Sequence, residues 1–170
     1  MSEKINPKTK PFAITRTFEA GKDVLWKMWT EAEHLKNWWA PKDTIIKYKK
    51  IELEPGGMNH YCMIHTQGDE LWGRQIYREV KKPNSLVFIN SFSDATGKIC
   101  IHPFSPTWPK ELLTTVLFYE HLGKTTVTLE WIPFDASDAE TETFERGRAS
   151  MSEGWNGSFD GLEKYLATLK

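Results

Sequence analysis

The closing stretch of the chain constrains its fold more than any other. Phe144, Met151, Trp155, Phe159, Leu162, Leu166 and Leu169 recur at helical spacing and form one apolar stripe. Gly147, Gly154 and Gly161 recur every seven residues along one flank of it. A glycine inside a helix costs about 1 kcal/mol relative to alanine, which is tolerable where another backbone comes very close. The pattern predicts one long amphipathic helix, entered at Ser137-Asp138-Ala139-Glu140, where Ser137 and Glu140 fit a capping box. The chain before it reads mostly as β-strands. A helix of this kind lying in a curved sheet makes a container.

Residues 1–9 read as a loose tail, and residues 10–170 as one domain. The stretch 10–18 alternates as a first strand. Asp23 fits the cap of a helix carrying Val24, Leu25, Met28 and Trp29. A second short helix spans 31–38 and is ended by Pro41. Strands follow at 44–54 and 57–65, divided by Pro55-Gly56-Gly57, then at 70–80 and 86–93, divided by Lys82-Pro83-Asn84. In 94–111, Pro103, Pro106 and Pro109 exclude regular structure while Ile101, Phe104 and Trp108 are apolar, which predicts an ordered, packed loop. The last strands are 112–121 and 125–133. A turn centred on Gly123-Lys124 would set Leu122 opposite Thr125, Phe118 opposite Leu129 and Val116 opposite Trp131. Alternation then turns Val116, Phe118, Val127, Leu129 and Trp131 inward. The fold class is α+β, an antiparallel sheet packed on a helix.

The formal net charge of −1 over 170 residues gives no pull toward nucleic acid or an anionic membrane. No run approaches the ~18 apolar residues of a membrane span, and the polar start lacks a signal-peptide core. Two cysteines, Cys62 and Cys100, do not make a disulfide framework. A soluble, cytoplasmic protein is expected. The eight tryptophans call for an aromatic core, an aromatic-lined pocket, or both.

Motifs for chemistry are sparse. His60 and Cys62 share a strand face while His65 points away, so the trio makes an incomplete zinc site. His34, His102 and His121 show no ligand spacing. No metal or cofactor is expected. Nucleophile elbows, H-E-x-x-H and glycine-rich phosphate loops are absent, so no catalytic residue is assigned. Asn156-Gly157-Ser158 matches a glycosylation sequon inside a predicted helix and is discounted. Arg148 falls on the apolar stripe by helical angle. There it needs a partner, Glu79, Glu120 or a ligand carboxylate, unless it snorkels to water at a cavity mouth.

Several features together resemble the START-like helix-grip superfamily: Trp26 to Trp39 in the first helical pair, Glu54-Pro55-Gly56-Gly57, Tyr77 to Val80 before a proline turn, and Gly154-Trp155 in the last helix. Within it the chain is similar to the branch related to the C-terminal domain of the activator of the 90-kDa heat-shock protein ATPase. The stretch His102-Pro103-Phe104-Ser105-Pro106-Thr107-Trp108-Pro109 matches a bacterial subgroup of that branch. The resemblance implies a helix-grip fold: a seven-stranded antiparallel sheet curved around a long C-terminal helix, with two short helices between strands one and two and a cavity between sheet and helix. By polarity alone the inward face of strand three stays open; the resemblance turns Asn59, Tyr61 and Met63 inward. Gln75 and Tyr77, then Asn90 and Phe92, would continue the lining. Val116, Phe118 and Trp131 join them from the hairpin, and Arg148, Met151, Trp155 and Phe159 from the helix. Trp38 and Trp39 close one end, one packed in the core and the other acting as a lid. Such an inward set suits an amphipathic ligand with a few polar handles.

Superfamily members bind apolar molecules, and some are cyclases or hydrolases. A small apolar or aromatic ligand is therefore expected, with no nucleic-acid or membrane partner. The alternatives are an enzyme acting on a polyketide-like substrate through Tyr77, Tyr61, Glu79 or Arg148, and a protein-interaction or co-chaperone-like module using the loop around Trp108. Chaperone contact is not expected, because the likeness to the activator is one of fold. A homodimer through that loop or an edge strand stays open.

Overall fold

A computed structural model of the chain describes residues 4–170. Its strands are β1 (Phe12–Phe18), β2 (Thr44–Lys50), β3 (Met58–His65), β4 (Glu70–Lys81), β5 (Ser85–Ser93), β6 (Leu112–His121) and β7 (Lys124–Pro133). Helices α1 (Lys22–Thr30) and α2 (Ala32–Leu35) separate β1 from β2, and α3 (Asp138–Arg146) and α4 (Arg148–Thr168) close the chain. The strands form one seven-stranded sheet in the order β1-β7-β6-β5-β4-β3-β2, antiparallel throughout. Register shifts at Tyr48/Lys50 and Tyr77/Glu79 are the bulges that bend such a sheet. The result is the α+β helix-grip expected from the sequence. No described helix is long and apolar enough to cross a membrane.

The sheet cradles α4, whose Met151, Trp155, Phe159, Leu162 and Leu166 are buried against it. Leu169, expected on the same stripe, is the exposed C-cap. Phe159 meets Phe18 edge-on at 5.5 Å between ring centroids. Val116, Phe118, Val127 and Leu129 are buried, and Trp131 is packed against the core they belong to, so the predicted inward set of the β6–β7 hairpin stands. Its register does not. The tight turn is Leu122-Gly123, both at positive φ (51° and 76°), as a type I′ hairpin turn requires. His121 faces Lys124, so Val127 lies opposite Phe118 and Leu129 opposite Val116. The slip amounts to two residues across the pair, which leaves every side chain on its predicted face.

The closing helix is two helices. The capping box is present: Ser137 Oγ accepts from the Glu140 N–H (3.2 Å), and Glu140 Oε2 accepts from the Ser137 N–H (2.8 Å). The break falls at Gly147, where a Cβ would lie 3.1 Å from Trp108 Cζ3. Trp108 of the proline-rich loop also packs on Phe144, with centroids 6.0 Å apart. The glycine thus admits a side chain to the joint, rather than the backbone expected there. At α1 the cap is Gly21 rather than Asp23. Its role is filled from across the fold: Glu120 Oε2 accepts from the Lys22 N–H at 2.6 Å.

Two segments outside the regular elements are tied down by hydrogen bonds. Of the tail expected over residues 1–9, Met1–Glu3 lie outside the described residues; the Lys4 carbonyl accepts from the Asp135 N–H (2.7 Å) and Thr9 is buried. The loop after β5 first folds onto the outer face of the sheet. Here His60 Nε2 donates to the Asp94 carbonyl (3.1 Å), Lys49 Nζ to that of Ala95 (2.8 Å) and Arg74 Nη1 to that of Gly97 (2.9 Å).

Candidate functional site

One flank of α4 carries glycine where a helix normally carries side chains, and there the sheet and helix stay apart. The resulting groove has a volume of about 1140 Å³. Its sheet wall is Tyr61, Met63, Gly73, Asn90, Phe92 and Trp131; its helix wall is Met151, Trp155 and the glycines 147, 154, 157 and 161. Residues 37–42 close one end, and Ser105, Trp108, Pro109 and Lys110 of the proline-rich loop close the other. A Cβ built on Gly154 or Gly157 meets nothing within 4 Å, and one on Gly161 comes no nearer than 3.8 Å to the Trp38 carbonyl. Close backbone approach therefore does not explain these glycines. Their missing side chains are what leaves the groove open.

The deep wall is aromatic. Trp155 stacks near-parallel to Trp29 (6.1 Å, 11°) and meets Trp131 (5.4 Å) and Trp39 (5.5 Å) edge-on. Trp38 is the core member of the Trp38–Trp39 pair: it is buried, and its Nε1 donates to the Met28 carbonyl at 2.9 Å. Trp39 is only partly buried and lines the groove. Tyr61 lies flat across Gly73 of the neighbouring strand, and a Cβ there would come within 2.6 Å of the phenol. Glycine at 73 is thus a steric condition for the placement of Tyr61. Burial pushes the Tyr61 phenol up to about 12, and a hydrogen bond with the Trp39 side chain offsets part of that rise. Tyr61 therefore stays a neutral hydroxyl at physiological pH.

Eight of the expected lining residues meet in this groove: Trp38, Tyr61, Met63, Asn90, Phe92, Trp131, Met151 and Trp155. Val116, Phe118 and Phe159 are buried in the core instead, clear of the groove lining. Asn59, Gln75 and Tyr77 form a buried polar cluster within the sheet: Asn59 Nδ2 donates to Gln75 Oε1 (3.1 Å) and to the Tyr77 hydroxyl (2.9 Å). The Asn90 handle is already engaged, accepting from the Thr114 hydroxyl. Arg148 is a correction. Its guanidinium pairs with Glu145 (2.7 Å) and donates to the carbonyls of Lys10 and Pro11. It lines a separate shallow pocket with Lys8 and Lys10. Arg148 opens α4, and from that first turn its side chain runs back over the Phe144 ring (5.3 Å) to those carbonyls, away from the groove. Neither Glu79, paired with Lys81, nor Glu120, which caps α1, is its partner. Among the described residues no three His, Cys, Asp or Glu side chains are grouped to hold a metal.

Trp39, expected as one of a core-and-lid pair, and Trp108, expected in a packed loop, both line the groove, whereas Gly73 and the groove-facing lysines carry no signal in the sequence. Gly73 looks like any strand glycine until its partner across β3 is known. The glycine spacing on α4 was the usable signal, and its meaning depended on what faced it.

A family model described as activator of Hsp90 ATPase homolog 1-like protein matches residues 19–167. A search of curated proteins finds no match. Solved structures with the same fold include a Staphylococcus epidermidis protein solved by NMR, 25% identical, with a TM-score of 0.75 over 98% of this chain and 94% of that one. A crystal structure of a Mycobacterium smegmatis protein is 22% identical, with a TM-score of 0.74 over 96% of this chain and 94% of the other. An Arthrobacter aurescens protein is 21% identical, with a TM-score of 0.77 over 96% of this chain and 89% of its own.

Proposed function

This chain belongs to the activator of Hsp90 ATPase homolog 1-like family, and on that premise we propose that it binds a small apolar or aromatic molecule in the groove between sheet and α4. The observation that carries this is the glycine flank of α4. Gly154 and Gly157 face open space opposite an aromatic wall, although alanine there would strengthen the helix by about 1 kcal/mol each. A chain under selection for stability alone has no use for that arrangement. A pocket lined by aromatic and aliphatic groups with a few polar ones is the usual form of a small-molecule site.

The enzyme reading is weaker on placement. Of its four candidate groups only Tyr61 lines the groove; Tyr77 is 2 % exposed and engaged by Asn59.

The test is Gly154→Leu, followed by tryptophan fluorescence. Trp39 and Trp131 each meet Trp155 at the groove wall, so a bound ligand quenches or shifts their emission. We expect wild type to respond to members of a panel of lipids, aromatics and polyketide-like molecules. Gly154→Leu should be at least as stable as wild type yet silent to the same compounds. A silent wild type, or a variant that binds as well, overturns the reading.

A further inference from the structure

The charge around the groove is not the charge of the chain. The protein as a whole is formally −1, yet the groove is lined by four cations, Lys42, Lys110, Arg146 and Lys164, against two carboxylates, Glu153 and Asp160. Some of these are already engaged. Asp160 accepts from Arg16 at 2.6 Å, and Arg146 is ion-paired with Glu142. Lys110 sits beside Glu140, which accepts from its backbone N–H at 3.2 Å. Lys42 and Lys164 make no ion pair among the described residues. Both belong to the end of the groove formed by residues 37–42. Lys164 is three residues from Gly161, on the same helix face, and a Cβ on Gly161 would lie 3.8 Å from the Trp38 carbonyl. This end therefore carries two ammonium groups without an ion pair among the described residues, Asp160 one turn from Lys164 being engaged by Arg16, while the aromatic wall between Trp39 and Trp131 offers an apolar bed.

We propose that the groove takes an amphiphilic carboxylate: its apolar or aromatic body lies between Trp155 and the glycine flank, and its acid group sits between Lys42 and Lys164. This deepens the binding reading above and rests on it. A carboxylate completes the charge balance at that end, and a neutral amphiphile of the same shape leaves it unchanged. Each ammonium acts as a partly solvated point charge, so its effect is modest and sensitive to salt.

The experiment measures tryptophan fluorescence titrations of the full chain at low salt with two matched pairs: dodecanoate and methyl dodecanoate, and 2-naphthoate and methyl 2-naphthoate. In wild type the acid of at least one pair should bind about tenfold tighter than its ester, the combined effect of two partly exposed ion pairs. Lys42→Gln/Lys164→Gln changes two exposed side chains. It should bind acid and ester alike, with the affinity for the ester unchanged. Equal affinities in wild type, or a preference that survives in the double variant, overturn the carboxylate assignment and leave the groove as a binding site. No response to any of the four compounds in wild type, with none to the wider panel, removes the groove reading and this assignment with it.

Discussion

Leu122 holds a φ of 51°, a left-handed conformation that costs a residue with a Cβ roughly 1–2 kcal/mol. The residue is 87 % exposed, so burial returns almost nothing. Asparagine tolerates this region far better. Leu122→Asn should therefore stabilise the protein by about 1 kcal/mol, raising Tm by about 2–4 °C for a domain of this size. A thermal melt reads it, and an unchanged or lower Tm would show that Leu122 is held by something other than the turn. The same residue explains why the hairpin register was misread. Glycine at 123 marks a turn, but nothing local places a leucine beside it at positive φ. The period-two pattern carried the inward face correctly even so, because the slip was an even number of residues. Arg148 has a comparable reason: helical angle sets it on the α4 stripe, but at the first position of that helix its guanidinium is drawn to the Lys10 and Pro11 carbonyls, partners remote in sequence.

At the scale of elements, the two capped helices show what is local and what is not. The capping box of α3 involves residues three apart, and it is readable from Ser137 and Glu140 alone. The cap of α1 comes from Glu120, distant in sequence by 98 positions, and no window of sequence contains both ends. The nearby Asp23 offered a plausible local substitute. It is an acidic residue of the first turn instead, without a side-chain cap bond. The two carboxylates separate experimentally. Glu120→Ala removes both a charge-assisted hydrogen bond to an orphan N–H and a negative charge at the helix N-terminus, and should cost about 1–2 kcal/mol. Asp23→Ala removes only the charge and should cost about 0.5 kcal/mol. Urea midpoints order the pair; equal losses would mean that Glu120 acts as a charge and not as a cap. The strands were legible because alternation is strong along them. The edges of β2 and α2 were not, because fraying and turn chemistry set them.

For the whole molecule, the container was legible in the sequence and its opening was not. Strand alternation and the α4 stripe together require a sheet wrapped on a helix. Which glycines face solvent, which face a tryptophan and which face nothing depends on the loop and sheet that surround them. The same enclosure has a consequence for stability at high pH. Tyr48 and Tyr61 pack ring to ring at 5.7 Å, and Tyr77 is buried beside Asn59. Burial raises the phenol of Tyr61 to about 12, and that of Tyr77 to about 12, from an ordinary value of 10.0. Burial also raises Tyr48 well above that value, aided by repulsion from the other two. A folded phenol then keeps its proton to about pH 12, while the unfolded one releases it near 10. Between these values the folded state binds more protons, so stability is intact below 10 and falls as the pH rises. The slope is roughly 1.4 kcal/mol per pH unit for each tyrosine. Urea midpoints between pH 9 and pH 11.5 should show this decline. Tyr77→Phe should begin lower, for want of its hydrogen bond, and decline less steeply, by about the share of one tyrosine. Lysine deprotonation acts on both proteins alike, so the difference in slope isolates Tyr77. Parallel slopes would mean that this hydroxyl ionises in the fold as readily as in water, and that the core around Asn59 is open to solvent.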